Sequence, residues 1–307
     1  MSDIDDARAA LRSIPQLAGW GNAEITRLGG LTNRVFRVEG EQTLCLRLPG
    51  AGTEEYINRA NEAHAAREAA KAGVSPQLVF ADTATGVLAT AFLGGTVTMS
   101  APLFKSRTGA PRRAGEAFRR LHSSGARFNF RFELFDMIDD YLKLLSTKTV
   151  DLPAGYHDVL GEAEAIRAAL GAHPLPLVAC HCDPLCENFL DTGERMWIVD
   201  WEYSGMNDPM WDLGDLSVEG GFDAAQDEEL LLGYFGAKPH PDERGRMVIY
   251  KAMCDLLWTL WGLIQHANGN PADDFWAYAN NRFSRCRALM ASSGFGEQVA
   301  AVAAGPQ

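Results

Sequence analysis

The dominant period of the apolar residues changes near Gly94–Gly95, and that change limits the folds open to this chain. Before it the dominant period is two. Residues 23–28 (AEITRL), 34–40 (RVFRVEG) and 43–48 (TLCLRL) alternate, separated by the break GGLTN and by a turn at Glu41 and Gln42. Alternation sends successive side chains to opposite faces, so each run predicts a strand, and the short breaks predict an antiparallel meander. The Ala-rich run from Thr53 to Gly73 predicts a helix capped by Thr53, with Glu54 and Glu55 in the first turn, where the dipole favours anions, and Gly73 as its stop. Two more strands are expected at 77–82 and 86–93. After Gly94–Gly95 the spacing is helical at 111–125, 135–146 and 158–170, and again from about 208. A short β-like pair, PLVACHCD and ERMWIVDWEY, interrupts the helices. The expected class is α+β in two lobes: a small antiparallel sheet with one helix over 1–94, and a larger, mostly helical part over 95–307. Residues 1–13 and 299–307 are expected to fray.

Bulk properties narrow the function. With 307 residues the chain can bury a sizeable core. Its formal net charge of -12 offers nothing to a phosphate backbone, which argues against a nucleic-acid partner, and it would attract a small cation. Six Cys in a chain this long do not form a disulfide framework. The start, MSDIDDARAA, is acidic and lacks the apolar run of a signal peptide. The most apolar stretch, 247–264, carries Lys251 and Asp255 near its middle, so a buried helix is expected rather than a membrane span. The chain is therefore expected to be cytoplasmic, with no membrane insertion; its oligomeric state is open.

The stretch HCDPLCENFL (181–190) concentrates the chemistry. Asp183 precedes Asn188 by five positions, and the apolar run MWIV delivers Asp200 twelve positions later. A hairpin-like return would bring the three side chains to one mouth. Phosphoryl transfer from ATP needs such a set: a carboxylate to orient an attacking hydroxyl and accept its proton, and hard oxygen ligands for Mg2+. The rival reading is a zinc site of Cys180, His181, Cys182 and Cys186. Successive strand residues point to opposite faces, so Cys180, His181 and Cys182 cannot all turn to one ion, and there is no second Cys-x-x-Cys; these Cys are read as small buried hydrophobes. Asp208, Asp212 and Asp215 resemble a second acidic cluster; Asp212 is expected to brace the loop, and the others to be solvated or to cap helices.

HCDPLCENFL together with IVDWEYSGMNDPMWDLGDLS, GGLTNRVFRV, LCLRLPG and WTLWG resembles the choline/ethanolamine kinase family, within the aminoglycoside-phosphotransferase-like and protein-kinase-like folds, over roughly residues 25 to 285. The resemblance implies a two-lobed protein-kinase-like fold and ATP-dependent phosphorylation of choline or ethanolamine. It implies that Asp183 is the base, that Asn188 and Asp200 hold Mg2+, and that His181 braces the loop. Gly29, Gly30 and Asn33 would lie over the ATP phosphates, Arg47 would reach the α/β-phosphates, and Glu62 would pair with Arg47. Adenine is expected at the connector 90–95, against backbone groups around Phe92. Trp258 and Trp261, three apart on a helix, would enclose a quaternary ammonium by cation–π attraction. Tyr203, Tyr278 and Phe275 would add walls and Glu219 a counter-charge, while Gly220 and Gly221 leave bulk missing from the cage. Two features depart from the general kinase pattern: Arg stands where Lys is usual, and the metal motif reads DWE. By pattern alone the two Trp read as core, Arg47–Glu62 as a surface ion pair, and Gly29–Gly30 as a hairpin turn. The alternatives are another hydroxylated amine as acceptor (an aminoglycoside, thiamine or a hydroxy amino acid) or a catalytically silent nucleotide-binding module.

Overall fold

A computed structural model describes residues 2–29, 33–50 and 57–306. The smaller lobe opens with α1 (Asp3–Ser13) and a 3-10 turn (Pro15–Trp20). It continues through β1 (Glu24–Gly29), β2 (Arg34–Glu39), β3 (Leu44–Leu48), α2 (Arg59–Lys71), β4 (Leu78–Ala81) and β5 (Leu88–Ala91). The five strands form one antiparallel sheet in the order β1-β2-β3-β5-β4. The alternation read from the sequence puts Ile25, Phe36, Val38, Leu44, Leu46 and Ala89 on one face, where they are buried with Ala7, Leu11 and Leu17.

Two expectations at the helix ends are corrected. Residues 3–13 do not fray: Ser2 and Asp5 close a capping box, and Ala7 and Leu11 are fully buried against the sheet. Burying a leucine contributes about 2 kcal/mol, enough to hold a short capped helix in place. The C-terminal segment likewise ends in a helix with Val302 buried. The helix expected from Thr53 begins instead after Asn58, whose Oδ1 accepts from the N–H groups of Ala60 and Asn61 at 3.1 and 3.0 Å. Gly30 and Thr53–Glu55 lie outside the described residues.

The larger lobe contains β6 (Val97–Thr98), α3 (Ala101–Ser106), α4 (Ala110–His122), α5 (Leu134–Leu145), α6 (Tyr156–Ala172) and β7 (Val178–Cys180). A 3-10 turn (Cys186–Asn188) leads into β8 (Phe189–Asp191), β9 (Met196–Ile198) and β10 (Gly205–Asn207). Then come α7 (Pro209–Gly220), α8 (Ala224–Phe235), α9 (Pro241–Ala267), α10 (Phe275–Met290) and α11 (Phe295–Ala304). The expected β-like pair splits in two: β7 pairs with β10, and β8 pairs with β9. Among the described residues α9 is the one helix long and apolar enough to cross a membrane, but 83% of its apolar window is buried inside the lobe. It packs against α7 and α10. At Gly214 the approach of α7 to α9 leaves no room for a side chain: a Cβ there would lie 2.8 Å from Met247 O and from Tyr250 Cβ. This closeness sets one face of α7 directly against α9.

Candidate active site

β7 ends at Cys180, and the chain turns sharply at Cys182, which has φ of 68°. One carboxylate holds this turn. Asp212, fully buried in the first turn of α7, accepts from the backbone N–H groups of His181 and Cys182, each at 2.8 Å, and lies 3.0 Å from His122 Nε2. Trp211 Nε1 donates to Cys182 O at 3.0 Å. The His181 ring reaches Val199 O at 2.9 Å, tying the loop to the residue before Asp200. Asn188 Nδ2 donates to Asp183 O at 3.0 Å, and Val199 N donates to Asn188 O at 2.9 Å. Asp183, Asn188 and Asp200 are thereby linked around one loop. Asp200 has φ of 68°; it and Cys182 are the non-glycine residues with positive φ among those described. The left-handed region costs a side-chain-bearing residue about 1–3 kcal/mol, so the packing around this loop holds both against strain.

The zinc set does not assemble. Cys180 Sγ donates to Asn207 O at 3.6 Å, Cys182 Sγ to Cys180 O at 3.7 Å, and His181 is engaged with Val199. Burial pushes the thiols of Cys180 and Cys182 well above their ordinary pKa, and that of Cys186 up to about 12. All three are buried hydrophobes rather than thiolate ligands.

On the N-lobe side, Arg47 is a buried residue of β3, not part of a surface pair. Its Nη1 contacts the Glu62 carboxylate, lies 3.1 Å from Asp200 Oδ1 and 4.0 Å from Glu202 Oε2. Arg59 bridges Glu62 at 2.9 Å and Glu202 at 3.4 Å. Asn33 Nδ2 donates to Glu202 Oε2 at 3.1 Å. Burial opposes the charge on Arg47, but Glu62, Asp200 and Glu202 outweigh it and raise its pKa. Burial likewise raises Asp200, and it lifts Glu202 to about 7 with help from Asp200. Burial works against ionised Glu62 too, yet Arg47 holds its pKa down. Carboxylate oxygens of Glu62, Asp200 and Glu202 lie within 4.8 Å of one another. This all-oxygen, negatively charged donor set fits a hard cation such as Mg2+. The sequence reading missed Glu202; the signal was a second acid two residues after Asp200 in DWE.

The remaining N-lobe positions are more dispersed. Gly29 ends β1, opposite Val35 beyond a register shift. Phe92 N–H is engaged by Thr43 O at 3.0 Å, within the sheet, and Arg37 stacks over its ring at 5.0 Å.

On the C-lobe side, five aromatic rings gather. The rings of Trp258 and Trp261 are 6.3 Å apart and nearly perpendicular. Tyr203 lies 5.4 Å from Trp258, and its hydroxyl accepts from Trp261 Nε1 at 3.1 Å. Phe275 and Tyr278 stand 5.5 and 5.7 Å from Trp261. Glu219 forms an ion pair with Arg282, which stacks over Tyr278 at 4.8 Å, so Glu219 shares its charge with a guanidinium. Gly220 leaves no gap: a Cβ there would meet the Phe222 ring at 2.2 Å, and Gly221 is the left-handed cap of α7. Asp208 caps α7 as expected, but Asp215 is neither solvated nor a cap; it is fully buried within α7. Burial drives the Asp183 carboxyl well above the usual range, with the charges of Glu219, Asp200 and Glu202 adding to it and Arg282 opposing.

The model of the phosphotransferase enzyme family matches residues 24–247. The fold superposes on the crystal structure of a choline/ethanolamine kinase family protein from Mesorhizobium loti with TM-score 0.91 and 68% identity, covering 98% of this chain and 99% of that one. It superposes on choline kinase LicA from Streptococcus pneumoniae with TM-score 0.79 and 25% identity, covering 94% and 99%. Protein LicA of Haemophilus influenzae is 28% identical over 261 residues, 81% of this chain and 75% of that protein. With the kinase-like arrangement of sheet, loop and helices already in view, these likenesses establish that the chain belongs to the phosphotransferase enzyme family and, within it, to the choline/ethanolamine kinase family.

Proposed function

We propose that the chain transfers the γ-phosphoryl group of ATP to the hydroxyl of a small amino alcohol, choline first and ethanolamine second. The observation that carries this reading is the place of Asp183: its loop is hydrogen-bonded through Asn188 to the strand end that presents Asp200, and burial first, then the charges of Glu219, Asp200 and Glu202, raises its pKa. The ammonium end of the acceptor sits among Trp258, Trp261, Tyr203 and Tyr278, where cation–π attraction contributes roughly 1–2 kcal/mol per well-placed ring. Its hydroxyl then points at Asp183, which aligns it and takes its proton as the new P–O bond forms. Arg47 offers unpartnered Nε and Nη2 donors, among the described residues, for phosphate oxygens. Asn188 and Asp200, with Glu202 beside them, would hold Mg2+, which supplies charge neutralisation on the phosphates when bound. Gly29 and Asn33 lie at the edge of the phosphate site, and the connector near Phe92 would take adenine. Such an enzyme would work in the cytoplasm, where ATP is supplied.

ATP consumption by purified protein with Mg2+, measured across choline, ethanolamine, an aminoglycoside, thiamine and a hydroxy amino acid, tests the reading. The expected result is turnover with choline and ethanolamine well above the others. Turnover confined to an aminoglycoside, thiamine or a hydroxy amino acid, or no turnover at all, overturns it.

A further inference from the structure

The buried polar atoms of α7 and α9 extend this reading, on which the following inference rests. Asp215 lies one turn before Glu219 on α7 and is fully buried. Its Oδ1 accepts from Cys254 Sγ, on α9, at 2.9 Å. Its Oδ2 is buried and has no hydrogen-bond partner among the described residues. Ligand atoms of Asp215, Glu219 and Cys254 lie within 4.8 Å of one another. One turn beyond Cys254 stands Trp258, whose Nε1 is also buried without a partner among the described residues. An unmet carboxylate oxygen inside a protein costs on the order of 1–3 kcal/mol, so this atom needs an account.

The charge count points the same way. Asp183, Asp215 and Glu219 interact electrostatically, and Arg282 is the cation that answers all three, while already paired with Glu219 and contacting Asp255. Arg282 also serves Asp255, so the mutual repulsion of Asp183, Asp215 and Glu219 is relieved only in part, and an incoming cation would relieve it further. Glu219 has a standing partner in Arg282, whereas Asp215 Oδ2 has none. A quaternary ammonium can use that charge but cannot donate a hydrogen bond to the oxygen. An ammonium that still carries N–H can do both, and a hydrogen bond between charged groups is about twice as strong as a neutral one.

We propose that Asp215 is a specificity-determining residue of the amine site, its Oδ2 accepting an N–H from primary, secondary or tertiary ammonium groups. The pocket then takes amino alcohols by two means. Choline is held by the aromatic rings and by charge. Ethanolamine and its mono- and dimethyl derivatives also donate to Asp215, which compensates for methyl groups they lack.

The test is kcat/KM for ethanolamine, N-methylethanolamine, N,N-dimethylethanolamine and choline, in the parent and in Asp215→Asn. The substitution keeps the shape and an oxygen to accept from Cys254, and turns an NH2 group toward the ammonium. We expect about a tenfold greater loss for each N–H-bearing amine than for choline, carried in KM. Thermal melts and ATP affinity separate misfolding from a specificity change. A second variant, Cys254→Ser, retains a donor to Oδ1 and is expected to keep the parent's ethanolamine-to-choline ratio. An equal loss for all four amines assigns Asp215 a merely structural role and overturns the proposal, as does an unchanged profile. Failure of the parent to phosphorylate any of the four overturns the broader functional reading, and this one with it; turnover with an unaltered ratio overturns this one alone.

Discussion

Two acidic clusters act on Asp183, and they are balanced differently. Toward the N-lobe, Glu62, Asp200 and Glu202 are answered by two guanidinium groups, Arg47 and Arg59. Toward the C-lobe, Asp215 and Glu219 share Arg282, and the neighbouring surfaces are aromatic. The first cluster mixes fixed cations with oxygen ligands, which suits a ligand that is itself mixed: phosphate oxygens together with a divalent cation. The second has a single shared guanidinium, Arg282, which leaves its carboxyls under-compensated and suits a ligand that brings its own positive charge. The overall charge of -12 reveals neither. What separates the two clusters is the local ratio of guanidinium to carboxyl, and that ratio predicts the sign of each ligand.

The largest expected effect falls on the residue on which both clusters act. Asp183→Ala should lower kcat by about a thousandfold, within the range of lost general-base catalysis, while ATP and choline still bind. An unchanged kcat removes Asp183 from its role and leaves the clusters unconnected. Next, Arg47→Ala should reduce kcat/KM for ATP by about a hundredfold, the scale of one lost preorganised donor, and leave KM for choline within about twofold. It should also destabilise the fold by about 3 kcal/mol, because Glu62 and Asp200 lose a buried partner; chemical denaturation reads this directly. If choline KM moves as much as ATP KM, the two clusters are not separate binding units. Smaller again, Trp258→Ala should raise KM for choline about tenfold through loss of one cation–π contact, with ATP KM unaltered. Parent-like choline affinity in that variant breaks the aromatic half of the comparison.

How much of this arrangement could be read in the chain depends on how local each feature is. The meander of β1, β2 and β3 is a period of two within each strand, and it brought Arg47 to the right lobe. Asp183 and Asn188 sit five apart in one loop, so spacing alone joined them. Features that depend on packing between distant segments were not legible. Asp215 reads as a solvated acid in DLGD; it is buried because α7 meets α9 closely at Gly214, some thirty-three residues from the nearest contact at Met247. The pairing of β7 with β10 rests on strands of three residues, too short to carry a period. α1 was missed for a different reason. Of its residues only Ala7 and Leu11 are buried, a weak apolar stripe, although the Ser2–Asp5 capping box was present to be seen.

The subtlest difference between charged sites should appear in pH dependence. Burial raises Asp183 and Asp215 well above the ordinary carboxylate range, so the folded chain binds their protons more tightly than the unfolded one. Their contribution to stability is therefore full below the ordinary carboxylate pKa and is lost as pH rises through the raised values. Asp191 has the opposite sign. Burial opposes its charge, but Arg113 and Arg107 hold its pKa below the ordinary value, at 2.7 and 2.9 Å. Its contribution is present above that ordinary value and lost as pH falls through the lowered one. A cationic ligand at the amine cluster offsets only the first effect. Choline at one fixed concentration should thus raise Tm more at about pH 8 than at about pH 5.5, by a few degrees, since about 1 kcal/mol moves Tm by about 2–4 °C in a domain somewhat smaller than this one. Asp215→Asn should shrink that difference by removing one of the two carboxyls that titrate, whereas Asp191→Asn should lower Tm at both pH values and leave the difference intact. An equal choline shift at both pH values in the parent would mean that the amine cluster is already neutralised from within the protein, and the contrast between the two clusters would collapse.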